Sequence, residues 1–130
     1  MKATGILWVG TLVGICYFLM PRGAGALPPQ QPLVRLAELE IDPAKVDDYK
    51  AALEEEIAVS IQREPGVLKL YAVSVRGHAN QIRLFEMYKD QASYEAHLNS
   101  PHFRRYKAAT EKMVKALKLF ETDPVLLGGR

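Results

Sequence analysis

The sequence predicts an α+β domain in which one antiparallel sheet carries its helices on a single face. Three observations predict it. Apolar and polar residues alternate over residues 33–41, apolar residues recur at three- to four-residue spacing over 46–61, and β-rich runs return at 67–76 and 82–88. A second helical stretch then leads into a last β-rich run, so the order is β-α-β-β-α-β. No internal repeat and no second domain is legible, and the length suits one modest core.

The residues ahead of this domain have a different character. Lys2 supplies a positive start, residues 6–20 form an apolar run without charge, and Pro21 and Arg22 break it. Ala24-Gly25-Ala26 then offers a small-x-small cleavage site, the layout of a secretory signal peptide over residues 1–26. The rival reading is an uncleaved anchor, but a spanning helix needs about 20 apolar residues and this run is shorter. Cleavage after Ala26 is the expectation, with an exported mature protein, periplasmic or secreted, that has no stable membrane association.

Export changes the chemistry to be considered. The only cysteine, Cys16, and the only tryptophan, Trp8, leave with the leader, so the mature chain has no disulfide, thiol nucleophile or cysteine metal ligand. Lys2 and Arg22 leave too, and 15 basic residues then face 15 acidic ones. That balance points away from nucleic acid and from anionic membrane surfaces as partners.

The elements follow in order. Residues 27–32, Leu-Pro-Pro-Gln-Gln-Pro, are a proline-rich extended lead, and the domain occupies 33–126. In the first strand Leu33, Arg35, Ala37, Leu39 and Ile41 share one face, with Val34, Leu36, Glu38 and Glu40 on the other. Asp42-Pro43 caps the first helix, whose stripe is Val46, Tyr49, Leu53, Ile57 and Ile61, with Glu54, Glu55 and Glu56 on its solvated side. Pro65-Gly66 ends it.

The runs at 67–76 and 82–88 form a hairpin about Gly77-His78-Ala79-Asn80. Asp90 opens a short helix to Asn99, and Ser100-Pro101 restarts a second segment. Phe103, Tyr106, Thr110, Met113, Val114 and Leu117 then fall on one stripe, and residues 117–122 form the last strand before a loose tail, 127–130. This is the ferredoxin-like split unit, a four-stranded antiparallel sheet. Its uncovered face carries apolar residues, so a second copy is the expected cover and a homodimer the expected state.

The titratable residues concentrate in one place. Ile82, Leu84, Glu86 and Tyr88 share a strand face, so the Glu86 carboxyl sits among apolar neighbours that raise its pKa toward a useful proton carrier. His97 lies one helical step from Tyr94, and His102 stands at a helix start, where the dipole favours a neutral ring. Glu86 and His97 are the candidate catalytic pair. His102, Tyr88, Tyr71, Tyr49, Tyr94 and Phe103 are the candidate pocket. The histidines are five apart, not the i, i+4 spacing that sets two imidazoles on one helical face, and with Glu86 they make no familiar metal motif; no metal and no cofactor are expected.

Glu64-Pro65-Gly66, Glu86-Met87-Tyr88 and then His97, Ser100, Pro101, His102 and Phe103 together resemble the signature of the antibiotic biosynthesis monooxygenase family, over residues 33–126. The resemblance implies a dimeric α/β barrel with a pocket between sheet and helices in each subunit. It also implies oxygenation of an aromatic quinol or polyketide by O2 without metal or flavin. One departure is plain: Tyr88 stands where many relatives carry tryptophan, and the mature chain has none. The expected function is a cofactor-independent monooxygenase acting on a small aromatic or quinol. The alternative is a non-enzymatic dimeric module of the cell envelope that binds small aromatic ligands.

Overall fold

The structure is a computed structural model and describes residues 31–129. The leader, its cleavage site and most of the proline-rich lead lie outside the described residues. The chain forms β1 (Leu33–Ile41), a 3-10 turn (Pro43–Lys45), α1 (Val46–Arg63), β2 (Val67–Val75), β3 (His78–Tyr88), α2 (Gln91–Asn99), α3 (Pro101–Thr110) and β4 (Val114–Thr122). The strands make one antiparallel sheet in the order β2-β3-β1-β4, with the helices on one side: the predicted ferredoxin-like α+β fold. Among the described residues no helix is long and apolar enough to cross a membrane.

The core lies between the sheet and α1. Ala37, Leu39 and Ile41 of β1 and Ile82 of β3 pack against Tyr49 and Leu53, with Ile57, Leu84, Tyr106 and Met113 around them. Register puts Leu39 opposite Ile82 and Ala37 opposite Leu84, so the apolar alternation of both strands meets on the helix side.

Three local expectations are corrected. The hairpin is tighter than predicted: β2 ends at Val75, β3 begins at His78, and Gly77 takes φ +81° between them. The stripe drawn through Met113, Val114 and Leu117 is not helical, because α3 ends at Thr110 and β4 starts at Val114, three residues earlier than expected. On α1 the buried residues are Tyr49, Leu53, Glu56 and Ser60, whereas Ile61 is half exposed. The covered face therefore runs toward Glu56 and away from Ile61.

Candidate functional site

The break between α2 and α3 builds the site. Ser100 is both the C-cap of α2 and the N-cap of α3, accepting from the Phe103 amide at 3.2 Å, and Pro101 forces the new start. His97 in the last turn of α2 and His102 in the first turn of α3 are thereby brought together, ring centres 6.3 Å apart.

Glu64, the residue that ends α1, reaches both. Its Oε1 accepts from His97 Nδ1 at 2.9 Å and from His102 Nε2 at 2.6 Å. Partial burial raises the Glu64 carboxyl, but the hydrogen bonds from His97 and His102 outweigh that and hold it below the usual carboxylate range. An ionised carboxylate only accepts, so both of those ring nitrogens carry the hydrogen. In a neutral His97 ring Nε2 is then the basic nitrogen. It faces Glu56 Oε1 at 3.7 Å, and Glu56 is itself held by Ser60 Oγ at 2.6 Å.

Glu86 borders the same interior space. Burial pushes its carboxyl above the ordinary range, partly offset by Tyr88 Oη, which donates to Oε2 at 3.2 Å, and by the nearby His97. Tyr88 is completely buried, and burial together with the Glu86 carboxylate keeps its phenol protonated as a donor. Tyr94 stacks edge-on against Tyr88 at 5.1 Å and lies under the Arg35 guanidinium at 4.4 Å. Phe103 packs on His97 at 4.6 Å.

The expected residues are thus gathered, with different parts. Glu86, His97 and Phe103 line an inner cavity of about 20 Å³, together with Glu56, Leu84 and Tyr106. That is room for about one water molecule. Tyr88, Tyr94 and His102 form the surrounding shell. Tyr49 is fully buried and reaches the cavity only through Tyr106, hydroxyl to hydroxyl at 2.6 Å. Tyr71 also borders the cavity; it pairs with Phe85 in the sheet and is half exposed, and Leu70 is the residue opposite Glu86.

Two residues of the site are not evident from the sequence. The acidic run around Glu56 suggests a solvated face, yet Glu56 is buried, 6 % exposed. Glu64 stands in the sequence as part of the signature Glu64-Pro65-Gly66, with nothing to mark it as the partner of both histidines. A wider groove of about 500 Å³ opens between α1 and β2, lined by Lys50, Ala58, Ala72 and Ser74, and shares Leu53, Ile57, Leu70 and Tyr71 with the inner cavity.

Residues 32–109 match the family described as antibiotic biosynthesis monooxygenase. A structure from Bacteroides thetaiotaomicron, assigned to the antibiotic biosynthesis monooxygenases, is similar at TM-score 0.75 and 41% identity, over 79% of this chain and 98% of that one. A Pseudomonas aeruginosa structure is similar at TM-score 0.70 and 22% identity, over 76% of this chain and 99% of that one. One from Nitrosomonas europaea, also assigned to antibiotic biosynthesis monooxygenases, gives TM-score 0.69 and 19% identity, over 75% and 94%. At such identity the last two speak for the fold alone. Among curated proteins there is no match.

Proposed function

The chain belongs to the antibiotic biosynthesis monooxygenase family, and from that premise we propose that it is an exported, homodimeric, cofactor-independent monooxygenase of a small electron-rich aromatic such as a quinol. The observation that carries the reading is His97: a buried imidazole whose Nδ1 is pinned by Glu64, in the wall of a largely apolar cavity that the desolvated Glu86 also lines.

The chemistry asked of these residues is proton removal. His97 Nε2, or Glu86, takes a hydroxyl proton from the quinol, and the anion passes an electron to O2. The two radicals combine at a ring carbon, water leaves, and a hydroxylated quinone remains. One oxygen atom enters the product and the other becomes water, the substrate supplying all the electrons. The apolar walls strip water from the anion and raise its reactivity. The α1–β2 groove has the size of a ligand site and serves as the approach, with Leu53, Ile57 and Leu70 between it and the inner cavity.

The test is oxygen uptake with a panel of naphthohydroquinones, comparing the protein with its Glu86→Gln/His97→Ala variant to correct for autoxidation. Uptake well above the variant's is expected. The small volume beside Glu86 favours a second reading, a binding module that holds its aromatic ligand in the outer groove. Equal uptake across the panel, with saturable quenching of tyrosine fluorescence by the same compounds, would put that reading first.

A further inference from the structure

We propose that Glu56, His97 and His102 form a binding site for one divalent cation of nitrogen and oxygen preference, zinc being the natural candidate. One ligand atom from each of the three lies within 4.8 Å of the others. The best-defined edge, His97 Nε2 to Glu56 Oε1, is 3.7 Å. Adjacent ligands around tetrahedral zinc stand about 3.4 Å apart at metal–ligand bonds near 2.1 Å, close to the His97–Glu56 edge, so the triangle must contract only modestly to close on an ion.

The second observation is what lies behind the ligands. Metal-binding histidines almost always donate the other ring N–H to a carboxylate, which fixes the tautomer and strengthens the metal-facing nitrogen. Glu64 accepts from one nitrogen of each ring through a single oxygen, His97 Nδ1 at 2.9 Å and His102 Nε2 at 2.6 Å, and on His97 this leaves Nε2 turned toward Glu56. Each imidazole therefore has one nitrogen committed to Glu64 and one left over. Glu56 keeps its bond from Ser60 and still has free lone pairs.

Access exists through a second recess, which shares Glu56 and Tyr106 with the inner cavity. This recess of about 180 Å³ between α1 and α3 has Glu56, His102 and Tyr106 in its walls, with Val59 and Ala109 beside them. A cation entering there reaches Glu56 and His102 first, and His97 next. Three protein ligands leave a fourth position open. This inference does not rest on the oxygenase reading. If both hold, zinc occupies the nitrogen assigned to proton removal and inhibits turnover.

The experiment is Co2+ titration of tag-free protein, read by visible d–d absorption, followed by displacement with Zn2+ and measurement of its affinity by calorimetry. The expected result is saturation at one ion per chain with the intense spectrum of four- or five-coordinate cobalt. His97→Gln and His102→Gln should abolish it, Glu64→Gln should weaken zinc about 10- to 100-fold, and the exposed Glu54→Gln should leave it unchanged. Variants are compared after native near-ultraviolet tyrosine dichroism is established. Absent saturation, a weak octahedral spectrum in the unaltered protein, or equal affinity in a folded His102→Gln or Glu56→Gln variant overturns the proposal. The unaltered protein alone decides the first two outcomes, so a variant that fails to fold does not shield it.

Discussion

His97 is 2 % exposed and has a different partner at each nitrogen, Glu64 at Nδ1 and Glu56 across 3.7 Å at Nε2. If Nε2 removes the substrate proton, His97→Ala should lower quinol-dependent oxygen uptake by about 10²- to 10⁴-fold, the usual worth of a positioned base. Glu64→Gln keeps the shape but replaces the ionised acceptor, so it should change the pH profile of uptake along with its rate. A merely structural Glu64 would lower the amount of active protein and leave the profile in place. Glu86 makes a separate prediction with a definite sign. Its folded pKa is raised by burial, so its contribution to stability is present below the unfolded carboxyl value and is lost as pH rises through the folded one. Glu86→Gln mimics the protonated form. The melting temperature of Glu86→Gln relative to the parent should therefore be near equal at pH 4 and clearly higher at pH 8, and a difference that is flat with pH would show Glu86 to be unperturbed. Glu64 is lowered and has the opposite sign: its contribution is present above the unfolded value and is lost as pH falls through the folded one.

Elements explain why these residues meet and which of them the sequence makes legible. The alternation in β1 and β3 is strict, so the shared face of Ile82, Leu84, Glu86 and Tyr88 follows from the residues alone. So does the Ser100-Pro101 restart that turns His97 and His102 toward each other. On α1 two stripes are compatible with helical spacing, one ending at Ile57 and Ile61, the other running Tyr49, Leu53, Glu56, Ser60. Polarity favours the first, but the break between α2 and α3 presents an imidazole to the second, and the fold buries Glu56. Nothing local in Glu64-Pro65-Gly66 signals that the carboxylate will bind two rings from distant helices, because that contact is tertiary. Gly66 shows the same docking in backbone terms. A Cβ there would clash with Ser93 Oγ and Cβ, and Ser93 is already tied to Asp90 through Oγ and its amide, each at 2.7 Å. The Gly66 carbonyl also accepts from the Lys89 amide at 2.8 Å, so the two segments cannot part easily. Gly66→Ala should cost about 1–3 kcal/mol, the usual range for overpacking. It would be read as a lower urea midpoint at unchanged m-value. An unaltered midpoint would mean that the start of α2 yields freely.

The whole molecule presents two kinds of surface, and they carry different consequences. The helix side is closed over the candidate site. The other side of the sheet carries no helix; Val34 and Met87 are buried at one end of it, and register aligns Tyr71, Phe85, Leu36 and Phe120 in one row across all four strands. Tyr71 is 55 % and Leu36 37 % exposed, and the adjacent row carries Val73 at 61 %. A contiguous apolar band on an open sheet face is a surface to be covered. A second copy meeting it face to face is the assembly proposed here. Val73→Glu tests it with little risk to the subunit, because Val73 is opposite Arg83, whose guanidinium already pairs with Glu38 at 3.6 Å. The new carboxylate finds a cation in the free subunit, yet a dimer would bury it against its own symmetry mate. Light scattering should show the parent at twice the chain mass and Val73→Glu at the chain mass, with the far-ultraviolet spectrum unchanged. A parent already at the chain mass would leave the band without a partner copy, and the site would then have to work within one subunit.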